Sequence, residues 1–266
     1  MNKLAASEPA LEFRISARYG SRLVLDEVSG QLAPGEICAL VGLSGSGKST
    51  LALALLRLLV YRGGETTGSI RLAGRELMDL PERTMRELRG RQIGYIPQSP
   101  AAALNERLRV RTLLKESWKA HENGAARAGF FEELLERVQL PHSADFLAQR
   151  AGQLSAGQGQ RLLIGLAIMH KPGVLIADEP TSALDAITQA AILRLLGELN
   201  RRQAMAMLFI SHDLLSVASL AHRMEILHEG RIVESGAPEE IFRAPRHPFT
   251  RELVQAMPKG IGRDEC

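Results

Sequence analysis

A single glycine-rich stretch constrains this chain more than any other feature of its sequence. Residues 42–49 read GLSGSGKS and satisfy the pattern G-x-x-x-x-G-K-[ST] at every required position. An apolar run at 37–41 precedes the stretch, and a leucine-rich segment at 51–59 follows it. A continuous apolar run is typical of a strand covered on both faces of a parallel sheet, and leucine favours helix. The sequence therefore predicts a strand, a phosphate-binding loop and a helix, in that order.

Each residue type in this loop suits the binding of nucleotide phosphates. Gly42, Gly45 and Gly47 let the backbone wrap closely, so that amides can converge on phosphate oxygens at the positive end of the helix. Lys48 adds a charge for the β- and γ-phosphates, and the Ser49 hydroxyl is an oxygen ligand of the kind that Mg²⁺ prefers. The loop is therefore expected to bind ATP or GTP. The other positions expected to contact the nucleotide are Ser44, Ser46 and Thr50.

Two adjacent acids, Asp178 and Glu179, follow an apolar run at 174–177. Successive strand residues point to opposite faces, but at the end of a strand both side chains can reach a nucleotide. We expect Asp178 to hold Mg²⁺ through its water shell and Glu179 to polarise the attacking water. Alone, such a pair is more often a solvated strand end; beside a phosphate loop, the catalytic interpretation is favoured.

The order of the other patterns predicts a sheet that is interrupted by a helical insert. Alternating apolar residues from Leu11 to Ile15, with turn signals near 19–21, 30 and 34–35, predict a small antiparallel sheet of short pieces. Helical spacing replaces strand signals between about 101 and 150, including Phe130 to Val138. The segments at 162–169, 174–177, 187–199 and 207–210 then read as βαβ units, and 224–227 with 232–234 as a hairpin.

Composition excludes several classes of protein. The 33 Lys and Arg residues exceed the 30 Asp and Glu residues by too little, and aromatic residues are too few at 4%, to indicate nucleic-acid binding. The two cysteines, Cys38 and Cys266, are far apart and have no metal-ligand spacing, so we expect a reducing compartment and neither a disulfide framework nor a zinc site.

No segment has the pattern of a membrane span or a signal peptide. The most apolar stretch, 51–60, contains Arg57 and is shorter than the roughly 18 residues that a span requires. Glu8 and Pro9 stand where a signal peptide would need a continuous apolar region. We therefore expect a chain that is soluble by itself and is not secreted.

Five further sites carry a resemblance to a known family. The segment LSAGQ at 154–158 resembles the LSGGQ signature of ABC-type ATPases, and the other landmarks of that family occur in the right order. The resemblance covers about residues 11 to 253, and its motifs together are specific. The matching residues are Gln98 of the Q-loop, Asp185 in the D-loop SALD, the switch histidine His212 and the adenine-stacking Tyr19.

The resemblance implies a role for each of these residues, and each also has a simpler structural interpretation. Gln98 would contact the metal at the junction with the helical insert, or be a solvated loop residue. His212 would bond the γ-phosphate and orient water, or be bonded to backbone at a strand end. Tyr19 would stack on adenine, or only pack in a turn. Asp185 would belong to the D-loop and also cap a helix, since helical spacing begins there.

The signature implies that two chains are needed for one complete site. Ser155, Gly157 and Gln158 would form a second anion site at a helix start, which in this family faces the phosphate loop of another subunit. Two ATP molecules are then closed into the dimer interface. Ala156 stands in place of the usual glycine, and Gly159 follows the motif. The extra methyl group of Ala156 is expected to have only a modest effect.

The resemblance also implies the fold and its divisions. The expected fold is α/β: a P-loop NTPase core of mostly parallel sheet with helices on both faces, an N-terminal antiparallel β subdomain and an inserted helical subdomain. A single ABC ATPase domain would span 11–253. The expected boundaries are 11–97 with 155–235 for the β-subdomain and core, 98–154 for the helical subdomain and 236–266 for a C-terminal tail.

The tail suggests a subfamily. The segment HPFTREL at 247–253, preceded by Gly-Ala-Pro at 236–238, is similar to the C-terminal segment of peptide/nickel-type import ATPases. Many peptide importers continue into a cysteine-rich extension, whereas this sequence stops at Cys266, which weakly favours the nickel or metal-chelate branch. No histidine grouping indicates bound nickel, because these residues are scattered along the chain: His121, His142, His170, His222, His228 and His247.

The resemblance implies partners and a location. A second ATPase subunit, identical or different, two transmembrane permease subunits and an extracytoplasmic solute-binding protein are expected, with this chain on the cytoplasmic face of the inner membrane. The cargo stays open between nickel, a metal chelate, dipeptides and oligopeptides. An accessory role in a phosphonate-degrading complex also stays open. A soluble ATPase of DNA repair or translation is disfavoured, because only one cassette and no long insert are present.

Overall fold

The computed structural model describes residues 8–256, and these form two compact units. The first unit contains the described residues up to Met78 together with those from Leu208 onward. The second unit runs from Asp79 to Met207. The fold is α/β, as predicted, with parallel strand pairs, helices and a separate antiparallel sheet.

The first unit begins with the predicted antiparallel sheet. Its strands are β1 (Leu11–Tyr19), β2 (Arg22–Leu32), β4 (Gly64–Leu72) and β5 (Arg75–Glu76), in the spatial order β2-β1-β4-β5. The prediction of short pieces broken at Gly30 is wrong, because β2 continues through that residue. A side chain at Gly30 would approach the Phe13 ring to 2.7 Å, so this glycine makes room for the ring rather than for a turn. Strands β4 and β5 were not predicted.

The strand before the phosphate loop is β3 (Ile37–Val41), and all of its residues are buried. It pairs in parallel with β9 (Arg223–His228), which pairs antiparallel with β10 (Arg231–Gly236). Between β9 and β10, Glu229 and Gly230 both have positive φ, 47° and 76°, which are the angles of a tight two-residue hairpin turn. The predicted strand and the predicted hairpin are therefore confirmed.

The helix after the loop is shorter than the leucine-rich segment suggests. Helix α1 covers Lys48–Leu55, and a turn of 3₁₀ helix at Leu59–Arg62 follows it. The prediction of one helix over 51–59 is wrong because Arg57 adopts a left-handed φ of 52°. The bend lets Leu56 and Leu59 both reach the core, where each is 1% exposed.

Three helices complete the first unit. They are α9 (Leu214–Ala218), α10 (Pro238–Arg243) and α11 (Pro248–Gln255). The last two lie in the predicted tail, and proline at the first turn of each suits a helix start. The end of that tail, including Cys266, for which no disulfide was expected, lies outside the described residues, and Cys38 is buried in β3 as a free thiol.

The second unit contains the predicted helical insert and a parallel strand pair. Strands β6 (Ile93–Ile96) and β7 (Val174–Asp178) are parallel, and β8 (Ala206–Ser211) carries the chain from this unit into the first. Among residues 8–256, none of the helices combines the length and apolar character needed to cross a bilayer. The helices are α2 (Glu82–Leu88), α3 (Pro100–Ala103), α4 (Val110–Lys119), α5 (Phe130–Arg137), α6 (Ala144–Ala148), α7 (Ala156–Ile168) and α8 (Ala186–Gln203), with a short 3₁₀ turn at Ala151–Gln153.

Candidate functional site

The phosphate loop lies between β3 and α1, as the sequence predicts. Its last residue, Gly47, caps α1 with φ 109° and ψ 5°, and no side chain makes a hydrogen bond at this cap. A Cβ on Gly47 would lie 2.7 Å from Cδ2 of Leu25 on β2. Glycine is therefore required here both by the backbone angle and by the close approach of β2.

The beginning of the loop is equally close to its surroundings. A Cβ on Gly42 would lie 2.3 Å from the carbonyl oxygen of Leu227 and 2.7 Å from Oγ of Ser46. Oγ of Ser46 is buried and makes no hydrogen bond to any residue in 8–256. A buried hydroxyl without a partner costs about 1–3 kcal/mol, so its presence here points to a ligand with oxygen atoms. By contrast, a Cβ on Gly45 would meet nothing within 4 Å, so the loop is open on that side.

Lys48 lies across the loop. It is only 5% exposed, and its Nζ donates hydrogen bonds to the carbonyl oxygens of Gly42 at 2.8 Å and Leu43 at 3.0 Å. These bonds hold the ammonium group against the first two residues of the loop. Ser44 is an exposed member of the loop, and Ser49 and Thr50 lie in the first turn of α1, Ser49 exposed and Thr50 half-buried. The arrangement places positive charge and donors at one end of a helix, which suits a polyanion.

Tyr19 ends β1, where it pairs with Arg22 and Gly64. Its side chain is half-buried, and its Cε1 would be 3.0 Å from a Cβ on Gly64, so the ring lies close to that glycine. The ring therefore has a packing role in the sheet. The predicted stacking on adenine stays a prediction.

The predicted catalytic acid lies directly after β7 and contacts the Q-loop glutamine. Asp178 ends the strand and is 3% exposed, whereas Glu179 is half-buried and has a left-handed φ of 46°. Nε2 of Gln98 donates a hydrogen bond of 3.0 Å to Oε2 of Glu179. The sequence analysis predicts a metal contact for Gln98 and does not predict this hydrogen bond. The turn at Glu179 brings the acid and an orienting amide together.

The signature motif forms the start of α7. Oγ of Ser155 accepts a hydrogen bond from the Gln158 amide at 3.2 Å, and the Gln158 side chain accepts one from the Ser155 amide at 3.0 Å. This reciprocal pair is a capping box, which stabilises a helix start. The predicted anion contacts by Ser155 and Gln158 stay predictions; the cap is an additional role that the S-x-x-Q spacing could have indicated.

Gly157 links the signature helix to the D-loop. A Cβ on Gly157 would lie 2.8 Å from Cγ2 of Thr188, near the start of α8. The Thr188 hydroxyl and amide donate to Asp185, at 2.7 and 3.0 Å, and Asp185 also accepts from the Ile187 amide at 3.1 Å. The Thr188 amide and hydroxyl are the strongest causes that hold the pKa of Asp185 below its usual range. The predicted N-cap role of Asp185 is confirmed by these bonds.

His212 directly follows β8 and is exposed. The next residue, Asp213, caps α9 by accepting hydrogen bonds from the amides of Leu215 at 3.0 Å and Ser216 at 3.3 Å. The strand and the capped helix thus fix the backbone on both sides of His212. Its predicted bond to the γ-phosphate stays a prediction.

The donor set suits a magnesium–nucleotide complex. The loop offers an ammonium group, helix-start amides and a buried hydroxyl that has no partner within residues 8–256, whereas Ser49 and Asp178 offer the oxygen ligands that Mg²⁺ prefers. Ser49 belongs to the first unit and Asp178 to the second, so their binding of one Mg²⁺ is a proposal.

Four of the six histidines that are scattered along the chain pack in pairs: the rings of His121 and His170 are 4.9 Å apart, and those of His228 and His247 are 6.4 Å apart. Helix packing and the tail bring these pairs together across long sequence separations. Across residues 8–256, no group of three or more His, Cys, Asp or Glu residues is arranged to hold a metal ion.

Comparison with known proteins gives consistent findings. A family model described as ABC transporter matches residues 25–182. The chain is 42% identical, over 90% of its length, to the peptidoglycan transport ATP-binding protein YejF of Agrobacterium fabrum, of which it spans 44%. It is 39% identical, over 92% of its length, to the dipeptide transport ATP-binding protein DppD of Haemophilus influenzae, of which it spans 76%. The chain thus spans less than half of one of these relatives and about three quarters of the other.

A solved structure has the same fold. It is described as an ATP binding subunit of an ABC transporter, and it superimposes with a TM-score of 0.73 at 28% sequence identity. The match covers 92% of this chain and 98% of that chain. The likeness therefore extends over both compact units and not only over the phosphate loop.

Proposed function

Because this chain belongs to the ABC transporter family, we propose that it is the ATP-hydrolysing motor subunit of an import complex for short peptides. The observation that carries the proposal is the phosphate loop, in which Lys48 lies at the start of α1 and the Ser46 hydroxyl has no partner among the described residues. ATP binding follows from the family and from this loop. The sequence left nickel and metal chelates open as cargo; the relatives' names favour peptides, since they refer to a dipeptide and to peptidoglycan.

The chemistry is transfer of a phosphoryl group to water, for which positioning and charge neutralisation supply most of the rate enhancement. Lys48 and the loop amides would bind the phosphates. Glu179 would accept a hydrogen bond from the attacking water, and Gln98 holds that carboxylate in place at 3.0 Å. Mg²⁺, held by Ser49, Gln98 and Asp178, would neutralise phosphate charge when bound. His212 would donate to the γ-phosphate.

A second ATPase subunit is part of the proposal. The chain carries one phosphate loop and one signature motif, and Ser155 is exposed at the start of α7. Its hydroxyl accepts one bond within the cap, and its proton can still be donated to a phosphate of the partner's nucleotide. Closure around two ATP molecules would then place one signature on each.

The remaining parts of the complex are proposed from the family. Two transmembrane permeases would hold this chain on the cytoplasmic face of the membrane, and a solute-binding protein would deliver the peptide. The domain limits expected from the sequence are part of this proposal. They are a single domain over 11–253, a helical subdomain at 98–154 and a tail from 236.

The test is the change Glu179→Gln in the chain assembled with its partner subunits. We expect phosphate release to fall by about 10²- to 10⁴-fold, as for the loss of a general base, while MgATP binding is retained. When the ATPase subunits are studied without the permeases, the nucleotide-bound dimer of the variant should accumulate, which size-exclusion chromatography with ATP would detect. The matched control is Glu132→Gln, which changes an exposed acid in the first turn of α5 and should hydrolyse ATP at the parent rate.

Two results would count against the proposal. Hydrolysis by Glu179→Gln at the parent rate would remove Glu179 as the base. Failure of the parent complex to take up a radiolabelled dipeptide into liposomes with ATP, while it takes up a nickel chelate, would assign the other cargo.

A further inference from the structure

The tail segment is fixed to the hairpin formed by β9 and β10. Phe249, on α11, is 7% exposed, and its ring stacks on His228 at the end of β9, with centroids 3.7 Å apart and planes 20° apart. The Glu234 carboxylate, on β10, accepts hydrogen bonds from the backbone amides of Arg246 at 2.8 Å and His247 at 2.9 Å. The tail therefore holds both strands of the hairpin.

The end of β9 and the turn that follows it both contact the phosphate loop. The carbonyl oxygen of Leu227, one residue before His228, fills the space that a Cβ on Gly42 would need, at 2.3 Å. The amide of Gly230 donates to the carbonyl oxygen of Ser46 at 3.3 Å. The hairpin thus contacts both the first residue of the loop and Ser46, whose hydroxyl has no partner in the described part of the chain.

Strand β2 holds the turn from another side. The amide of Asp26 donates to the carbonyl oxygen of Gly230 at 2.9 Å, and Nε of Arg231 donates to the Asp26 carboxylate at 2.9 Å. The carbonyl oxygen of Val24 fills the space that a Cβ on Gly230 would need, also at 2.3 Å. The turn is therefore enclosed by β2, by the phosphate loop and, through His228, by the tail.

We propose that the tail is a positioning element for the phosphate loop and that Phe249 is its positioning residue. The Phe249 ring holds His228, and His228 keeps the neighbouring Leu227 carbonyl and the Gly230 amide against the loop. Phosphate binding depends on loop amides that converge on one point, so a looser turn weakens nucleotide affinity. This inference rests on the proposed function, because its consequence is measured as affinity for MgATP.

The test is Phe249→Ala in the full chain, assembled with its partner subunits for turnover. An aromatic pair contributes at most about a tenfold effect, so we expect the dissociation constant for MgATP to rise about three- to tenfold. KM for ATP should rise with it, whereas kcat stays at the parent value because no reacting group is changed. Phe249→Tyr keeps the ring and should restore both constants. Amide hydrogen exchange over residues 42–47 should become faster in Phe249→Ala and return to the parent rate in Phe249→Tyr.

A matched control separates this role from general packing. Phe146, on α6 of the second unit, is 3% exposed, so Phe146→Ala removes a similarly buried ring. It should lower the midpoint of thermal unfolding without changing the MgATP dissociation constant. Equal loss of affinity in the two variants, or parent affinity in a folded Phe249→Ala, would overturn the inference.

The two proposals can fail separately. A parent chain that does not bind MgATP, as measured by titration calorimetry, would overturn the proposed function. The exchange of the loop amides does not need nucleotide, so an unchanged exchange rate over 42–47 in Phe249→Ala would overturn the tail inference alone.

Discussion

Helix α1 begins without a side-chain cap, whereas helix α7 begins inside a closed capping box. At α1, Gly47 precedes the helix, and Lys48 is the first helical residue. At α7, Ser155 and Gln158 satisfy each other's backbone amides, and the first turn contains no cation. The sequence predicts phosphate contacts at both of these helix starts.

This difference predicts different roles for the two helix starts in binding the nucleotide. The first amides of an α-helix lack partners within the helix, so an uncapped start with a lysine can offer several donors to one ligand. A capped start has already used part of that capacity, and at α7 the clearest remaining donor is the Ser155 hydroxyl. We therefore expect α1 to determine nucleotide affinity and α7 to contribute only when a second subunit closes.

The largest effect is expected from the cation that α1 has and α7 lacks. Lys48→Met keeps an unbranched side chain that is one atom shorter but removes its charge and its bonds to Gly42 and Leu43. Turnover should fall by about 10²- to 10³-fold, the range for loss of one donor to developing charge. Phosphate release by the assembled complex measures this. Lys115→Met, at an exposed lysine on α4, should keep the parent rate, and similar losses in both variants would remove the special role of Lys48.

The second-largest effect is expected from a comparison of Gly47, before α1, with Gly157, in the first turn of α7. Gly47→Ala places a Cβ at φ 109° and 2.7 Å from Leu25, so MgATP affinity should fall roughly ten- to a hundredfold as the loop shifts. Gly157→Ala is the matched change on α7, where the nearest atom is a Thr188 methyl group at 2.8 Å. That variant should bind MgATP like the parent in isolated-chain titrations. Equal losses would show that the two ends do not differ in this way.

A smaller effect tests the capping box itself. Ser155→Ala removes the hydroxyl that accepts from Gln158, which should lower the free energy of unfolding by about 0.5–2 kcal/mol. Ser155→Thr retains a hydroxyl and should lose less. Urea unfolding of the chain measures both values. If Ser155→Ala is as stable as the parent, the box seen at α7 does not stabilise the helix.

The smallest effect concerns pH at the helix that contacts α7. Because Thr188 holds the pKa of Asp185 below its usual range, the ionised form stabilises the fold at neutral pH. That contribution is present above the unfolded pKa of about 3.9 and is lost as pH falls through the lower folded value. Asp185→Asn can still cap α8 but cannot titrate, so thermal unfolding midpoints should depend less on pH below about 4. Parallel curves for parent and variant would contradict this.

Prediction from sequence succeeds where one motif fixes both structure and chemistry. The order of β3, phosphate loop and α1 follows from the spacing of glycines, lysine and the apolar run, and the structure has that order. Strands β4 and β5 were missed, since a sheet partner is defined by pairing with β1 and not by its own pattern. The end of α1 was also missed, because a left-handed Arg57 leaves no signal in composition.

The candidate site shows the same limit. Gln98 and Glu179 are far apart in sequence, and their hydrogen bond depends on the turn after β7. No local sequence pattern therefore predicts this bond. The contact of Leu227, in β9, with Gly42 is likewise a matter of packing, although the hairpin of β9 and β10 was itself predicted from the sequence. The capping box, by contrast, was readable from the S-x-x-Q spacing at 155–158.

The left-handed backbone at Glu179 has a consequence for engineering. A residue with a bulky side chain in this region costs of order 1–3 kcal/mol, and glycine or asparagine would relieve much of that cost. Selection for heat resistance alone should therefore enrich Glu179→Gly and Glu179→Asn, both of which remove the acid proposed to act on water. A thermostabilised form of this protein therefore has to be screened for turnover as well, since a change that relieves backbone strain at this position also removes the proposed catalytic carboxylate.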